Sequence, residues 1–200
     1  MPDRVHIFGA SGSGTTALAS SLAGTHGYRH LDTDDFYWLP TDPPYRQPRP
    51  RDARLALLRH VLAESPRWVL SGSLCGWGDP LIPEFELVVF LVVQAEVRLA
   101  RLRAREIERY GREALMPGGP LYDAHVEFLD WAGRYDAGGV EIRSRALHEA
   151  WLARVPGAVL RIEGDRSVAE QLMQIEAAVH GGLLTTRCSG RASRAADREH

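Results

Sequence analysis

Val5-His6-Ile7-Phe8-Gly9-Ala10-Ser11-Gly12-Ser13-Gly14-Thr15-Thr16 joins a short apolar run to a glycine-rich turn and the start of a helical pattern. From Gly9 onward the spacing is that of a phosphate-binding loop, G-x-x-x-x-G-K-[ST], with Thr15 in the lysine position. Glycines in such a loop let successive backbone N–H groups turn toward phosphate oxygens, and the helix opening near Thr15 adds the positive end of its dipole. Gly9, Ala10, Ser11, Gly12, Ser13, Gly14, Thr15 and Thr16 are therefore candidate nucleotide contacts. The Thr16 hydroxyl is the expected Mg²⁺ ligand at the helix start. A Gly-Ser-Gly turn also serves as a plain strand-to-helix connection, but the strand before it and the apolar helix after it favour a phosphate site.

Thr15 removes the point charge that such a loop normally sends to the terminal phosphates. No lysine occurs anywhere in the 200 residues, so all 24 basic side chains are arginine. Two readings follow. Either catalysis has been lost, or arginines elsewhere supply the charge, since guanidinium groups suit phosphate oxygens bidentately.

Two hundred residues with 44% hydrophobic content support one domain with a substantial core and a small mobile insertion. A net charge of −2 argues against broad nucleic-acid or anionic-membrane binding. Cys75 and Cys188 lack metal-binding spacing, and no apolar signal region or spanning segment is visible, so a cytoplasmic location is expected.

Strand-like runs at Arg4–Phe8, Tyr28–Leu31, Trp68–Ser71, Leu87–Val93 and Ala158–Ile162 alternate with helical patterns, which predicts an α/β fold with a doubly wound, five-stranded parallel sheet. The Leu87–Val93 run is apolar without alternation, so it is expected near the sheet centre with both faces covered. Helices are expected over about Thr15–Ala23, Asp52–Glu64, Ala95–Tyr110, Leu121–Tyr135, Ser144–Val155 and Ser167–Val179. Phe36–Arg51, with five prolines and three arginines, reads as an irregular acceptor-binding insert. Residues from about 105 to 120 read as a lid with its tip at Gly111–Pro120, and 181–200 as a flexible tail on a domain spanning 1–180.

Leu31-Asp32-Thr33-Asp34-Asp35 ends the second expected strand. Ligands of open parallel sheets sit beyond the carboxyl ends of the strands, so this cluster faces the same crevice as the glycine loop. Asp32 is placed to hold metal waters and Asp34 to accept a hydroxyl proton or orient an acceptor. The plainer alternative is a helix cap. Further along, Arg98, Arg101, Arg105, Arg109 and Arg112 fall on one helical stripe, turned away from Val97, Ala100, Ala104 and Ile107. Like charges four apart repel mildly, and an anion would relieve them, so Arg101 and Arg105 are candidate catalytic cations. A solvated helix face is the alternative. Tyr37, Trp38, Tyr45, Arg46 and Arg49 could contact the acceptor or simply pack. Ser71 and Ser73 stand where many phosphate-loop proteins carry a metal-associated acid, which shifts that duty toward Asp32 or Asp34.

With the glycine loop, the acidic second-strand end, the arginine-rich helix and Ile162-Glu-Gly-Asp-Arg-Ser-Val168, the chain resembles the P-loop nucleoside- and nucleotide-kinase-like family. Gly9–Thr16 followed by Leu31-Asp-Thr-Asp34 looks like shikimate kinases, a resemblance that implies metal assistance by the first acid and acceptor contact by the second. Arg105-Glu-Ile-Glu-Arg-Tyr-Gly-Arg112 is more similar to uridine kinases and phosphoribulokinases, and the latter also end their loop in Gly-Thr-Thr. The chain looks like short bacterial proteins labelled AAA-family ATPases or adenylate kinases as well. Ser71-Gly-Ser73 departs from the glycine triplet of shikimate kinases, and a lysine-free chain has no N-K-x-D guanine motif. The resemblance implies an ATP- and Mg²⁺-dependent kinase acting on a small-molecule acceptor, a nucleoside, nucleotide or hydroxylated metabolite. The alternative is a non-catalytic nucleotide-binding regulatory protein.

Overall fold

A computed structural model describes residues 1–42 and 44–182. Most of the expected tail, with Cys188, lies outside the described residues. The elements run β1 (Arg4–Gly9), α1 (Thr15–His26), β2 (Arg29–Asp32), α2 (Thr33–Tyr37), α3 (Arg51–Ala63), β3 (Trp68–Ser71), β4 (Leu87–Val92), α4 (Ala95–Tyr110), α5 (Tyr122–Gly133), α6 (Arg145–Leu152), β5 (Ala158–Glu163) and α7 (Val168–His180). Short 3₁₀ turns at Asp79–Glu84 and Glu113–Leu115 complete the described chain.

All strand pairings are parallel, in the order β2-β3-β1-β4-β5. β1 is therefore the central strand and β4 its interior neighbour, near the sheet centre as its apolarity predicts. Both are covered on two faces, which is all that an unbroken apolar run requires. Along β4, Val88 and Phe90 enter one core with Phe8, Leu70, Leu58 and Trp151, while Leu87, Val89 and Leu91 enter the other with Val5, Ile7, Leu18 and Ile175. Alternate side chains of a strand point to opposite faces, so each strand feeds both cores. α3 and α6 thus cover one face of the sheet and α1 and α7 the other.

Parallel connections carry all strand ends to one edge, where β1, β2 and β3 stop at Gly9, Asp32 and Ser71. Asp32 and Ser71 are register partners across β2 and β3. That alignment brings the glycine loop and the acidic cluster into one crevice. Among the described residues, no helix is long and apolar enough to cross a membrane.

α4 departs from its expected orientation. Its buried residues are Arg98 and Leu102, whereas Ala100 and Ala104 are exposed. Arg98 is only 1% accessible and donates to Val93 O at 2.9 Å, Ala132 O at 3.5 Å and Asp136 Oδ2 at 2.5 Å. A guanidinium can be buried when its donors are met this fully, and the ion pair outweighs the pull of two alanines that have little area to bury. Arg98 is therefore a structural residue that ties α4 to the segment after α5.

Candidate active site

The loop geometry follows from its glycines. Gly12 and Gly14 have φ of 81° and 97°, in the left-handed region that side chains disfavour. Ser13 N donates to Ala10 O at 3.1 Å, closing the turn, and Gly14 caps α1. The two glycines differ in what surrounds them. A Cβ on Gly12 would lie 2.6 Å from Arg98 O, so this residue lets the loop press against α4. A Cβ on Gly14 would meet only Arg101 Nη1 at 3.8 Å, which leaves its concave side open to a ligand. Gly12→Ala is therefore expected to lower thermal stability clearly more than Gly14→Ala, for which the cost is mainly the left-handed backbone, about 1–2 kcal/mol. Thermal unfolding of the two variants side by side measures the difference.

Thr16 and Asp32 meet directly: Thr16 Oγ1 donates to Asp32 Oδ2 at 2.8 Å. Ser71 Oγ donates to the same oxygen at 2.8 Å, so the neutral residue at the end of β3 orients the carboxylate instead of replacing it. Asp32 Oδ1 accepts from Asp34 N at 3.0 Å and caps α2. One oxygen of the carboxylate thus caps α2, as the plainer reading of the sequence expects, while the other meets the Thr16 and Ser71 hydroxyls. A hydroxyl and a carboxylate oxygen side by side fit Mg²⁺, which keeps several waters and takes few protein ligands besides phosphate. The loop also fits an anion. Ser13 Oγ is buried and has no hydrogen-bond partner among the described residues.

Asp34 lies in the first turn of α2. Its carboxyl is raised from the ordinary value by desolvation first and by the like charge of Asp32 next, with Arg143 and Arg105 acting against both. The side chain stays exposed to solvent, so this is the desolvation of a crevice wall rather than of a sealed core.

The arginine stripe divides by position. Arg101 Nη1 donates to the carbonyls of Gly12 at 3.3 Å and Ser13 at 3.5 Å, and its Nη2 pairs with Asp165 Oδ1 at 2.5 Å. Arg105 is close enough for its charge to act on Asp34. Arg109 lies over the Tyr45 ring, 5.2 Å from its centroid, and so bridges α4 to the insert. Trp38 and Pro48 form an antiparallel bridge, and Leu39 N donates to Gln47 O at 2.9 Å, so the insert is a hairpin-like loop following α2. Tyr45 sits within it at φ 64°. Arg49 and Arg54 are turned into the insert itself: Arg49 donates to Phe36 O and Trp38 O, and Arg54 covers the Tyr37 ring.

Among the polar residues near the crevice, Tyr135, His148 and Arg143 were not singled out from the sequence. Tyr135 OH and Ser73 Oγ flank His148, at 2.8 Å from Nδ1 and 3.1 Å from Nε2. Burial, then the charge of Arg143, holds the His148 imidazole down to about 3, so it is neutral. Burial pushes the Cys75 thiol up to about 11, so it is no thiolate at neutral pH. Arg143 donates through Nη2 to Gly9 O at 3.3 Å. Its signal in the sequence is faint: an arginine just before Ser144, the serine that caps α6.

A glycine loop between the central strand and α1, with acids at the end of β2, gives this parallel sheet the P-loop kinase-like fold. It matches shikimate kinase from Acinetobacter baumannii in complex with shikimate, at TM-score 0.51 and 16% identity over 90% of this chain and 93% of that one. It also matches shikimate kinase from Bacteroides thetaiotaomicron, at TM-score 0.52 and 18% identity over 88% and 98%. The chain belongs to the family of the uncharacterized protein YqaC of Bacillus subtilis (strain 168), with which it is 46% identical over 175 residues, 88% of this chain and 96% of that protein. No protein-family model matches it.

Proposed function

We propose that the protein is an ATP- and Mg²⁺-dependent kinase that transfers the γ-phosphoryl group to a small-molecule acceptor. The observation that carries this reading is the contact of Thr16 Oγ1 with Asp32 Oδ2 at 2.8 Å, at the mouth of a glycine loop and beside Asp34. A loop that only connected a strand to a helix would need neither acid. The P-loop kinase-like fold agrees with it, as the comparison structures named shikimate kinase share that fold.

In this reading the backbone amides from Gly9 to Thr16 bind the phosphates, with Ala10, Ser11 and Ser13 forming the turn and Thr15 contributing only its amide. Thr16 and Asp32 hold the metal with its waters, which supplies neutralisation of the triphosphate charge when bound. Asp34 orients the acceptor hydroxyl and takes its proton. Arg101 and Arg105 lend positive charge along the α4 side, where catalysis of phosphoryl transfer depends on placed cations. The acceptor enters between the hairpin-like insert of about 36–51 and the lid of about 105–120.

Thr15 favours one rival, a nucleotide-binding regulatory protein without turnover. Calorimetry with ATP·Mg²⁺, followed by a screen of nucleosides, nucleotides and hydroxylated metabolites with ADP release as the signal, separates the two. Binding with acceptor-dependent ADP release is expected. Binding without turnover across the screen favours the rival, and the lack of any nucleotide affinity overturns the P-loop reading.

A further inference from the structure

Thr15 brings no charge into the phosphate loop, and the α4 arginines are poorly placed to supply all of it. Arg101 is shared with Asp165 at 2.5 Å, which offsets part of its charge. Arg105 is exposed. Arg143 approaches from the segment before α6, where its backbone is fixed by Ser144, whose Oγ donates to Gly139 O at 2.6 Å and accepts from Leu147 N at 3.0 Å.

The Arg143 guanidinium is held across the start of the loop. Nη2 donates to Gly9 O at 3.3 Å, and the group lies 5.7 Å from the centroid of the Trp131 ring on α5. It lines a small recess with Ser11, Trp131 and Tyr135. Its Nε is buried and has no hydrogen-bond partner among the described residues, and no carboxylate among them forms an ion pair with it. A buried guanidinium donor left unmet is costly unless an anion completes it. The charge also acts on Asp34, the proposed acceptor base, so the guanidinium that touches Gly9 O is felt on the acceptor side as well.

We propose that Arg143 replaces the missing loop lysine, binding the terminal phosphate oxygens of the nucleotide from the acceptor side of the crevice. This rests on the ATP-binding reading above. Position 15 opens α1, whereas Arg143 reaches the same loop from the start of a different helix, so the cation has moved in sequence while remaining beside the phosphates. A planar guanidinium is suited to this reach because it holds the Gly9 carbonyl with one donor and presents others to two phosphate oxygens. Trp131 lies beside the group, so the surroundings of the cation include α5.

Calorimetry on the full chain tests the assignment, with ATP·Mg²⁺ and ADP·Mg²⁺ as probes of the wild type, Arg143→Ala, Arg143→Gln and Arg143→Ala combined with Thr15→Lys. ATP affinity is expected to fall about 10- to 100-fold in both single variants, the range of a lost charge-assisted contact, and ADP affinity to fall less. Thr15→Lys should restore a large part of the ATP affinity. Wild-type ATP affinity in Arg143→Gln, equal losses for ATP and ADP, or no recovery with Thr15→Lys each overturns the proposal. A wild type that binds neither nucleotide overturns the P-loop reading itself, an outcome distinct from the other three. Arg143→Gln keeps most of the side-chain volume, so it carries the test if the alanine variant does not fold.

Discussion

Asp34→Asn is expected to lower phosphoryl transfer by about 10²–10⁴-fold, the usual worth of a general base, while leaving ATP affinity nearly unchanged. Asn has the shape of Asp but neither its charge nor its basicity. The backbone at this position is held through the Asp34 amide, which donates to Asp32 Oδ1 at 3.0 Å and survives the substitution. The first turn of α2 therefore stays in place. Desolvation and the charge of Asp32 raise the Asp34 carboxyl, which makes its carboxylate a better proton acceptor. The sign for the rate is that activity falls as the solution is acidified through this raised value, so the acid limb of kcat/KM lies above the ordinary aspartate range. Single-turnover rates with the identified acceptor, set beside calorimetric ATP affinity, measure both halves. An unchanged rate would reduce Asp34 to a neighbour of the α2 cap.

The fold was legible because its signals are local and redundant. Trp68–Ser71 and Ala95–Tyr110 match the expected bounds residue for residue, and the other strands differ by a residue or so at their ends. Such ends depend on caps and neighbouring strands more than on hydrophobic pattern. The five-residue helix α2 was missed because Thr33–Tyr37 is too short to show a period, and its cap is also a site residue. Sheet order could not be read from apolarity, since β1 and β4 are both buried on two faces.

The meeting of Gly9–Thr16 with Asp32 and Asp34 in the candidate site was legible, because spacing places them. The site was opaque where the contact is distant in sequence. Arg143 reaches Gly9 across 134 residues, and nothing in the few residues around it marks that destination. Arg98 misled in the opposite direction. Helical periodicity counts an arginine as polar and turns it outward, but the Val93 carbonyl just before the helix and, far along the chain, the Ala132 carbonyl and Asp136 turn it inward. Periodicity measures the side chain alone, whereas burial is decided by the partners that the fold brings to it.

Stability is expected to fall by about 4 kcal/mol between pH 7 and pH 5, because two core histidines are neutral in the folded protein and protonate on unfolding. Burial holds the His6 imidazole down to about 4, although its hydrogen bond with Leu70 O acts the other way. His6 packs against the rings of Phe8 and Phe85, with centroids at 5.3 and 4.9 Å, an apolar setting unfavourable to an imidazolium. His148 is held to about 3 by burial first and the charge of Arg143 second. Both folded values lie below the ordinary 6.5, so the stabilisation is present above about pH 6.5 and is lost as the pH falls toward the folded values. At pH 5 each histidine accounts for about 2 kcal/mol, and the slope approaches two protons per molecule between pH 6 and 5. That is a large part of the roughly 5–15 kcal/mol that holds an ordinary domain together. Urea unfolding at half-unit steps from pH 7.5 to 5 measures the slope, and His148→Gln should remove about half of it. A flat profile, or folded-state imidazole resonances of both residues titrating near 6.5, would show that water reaches these rings.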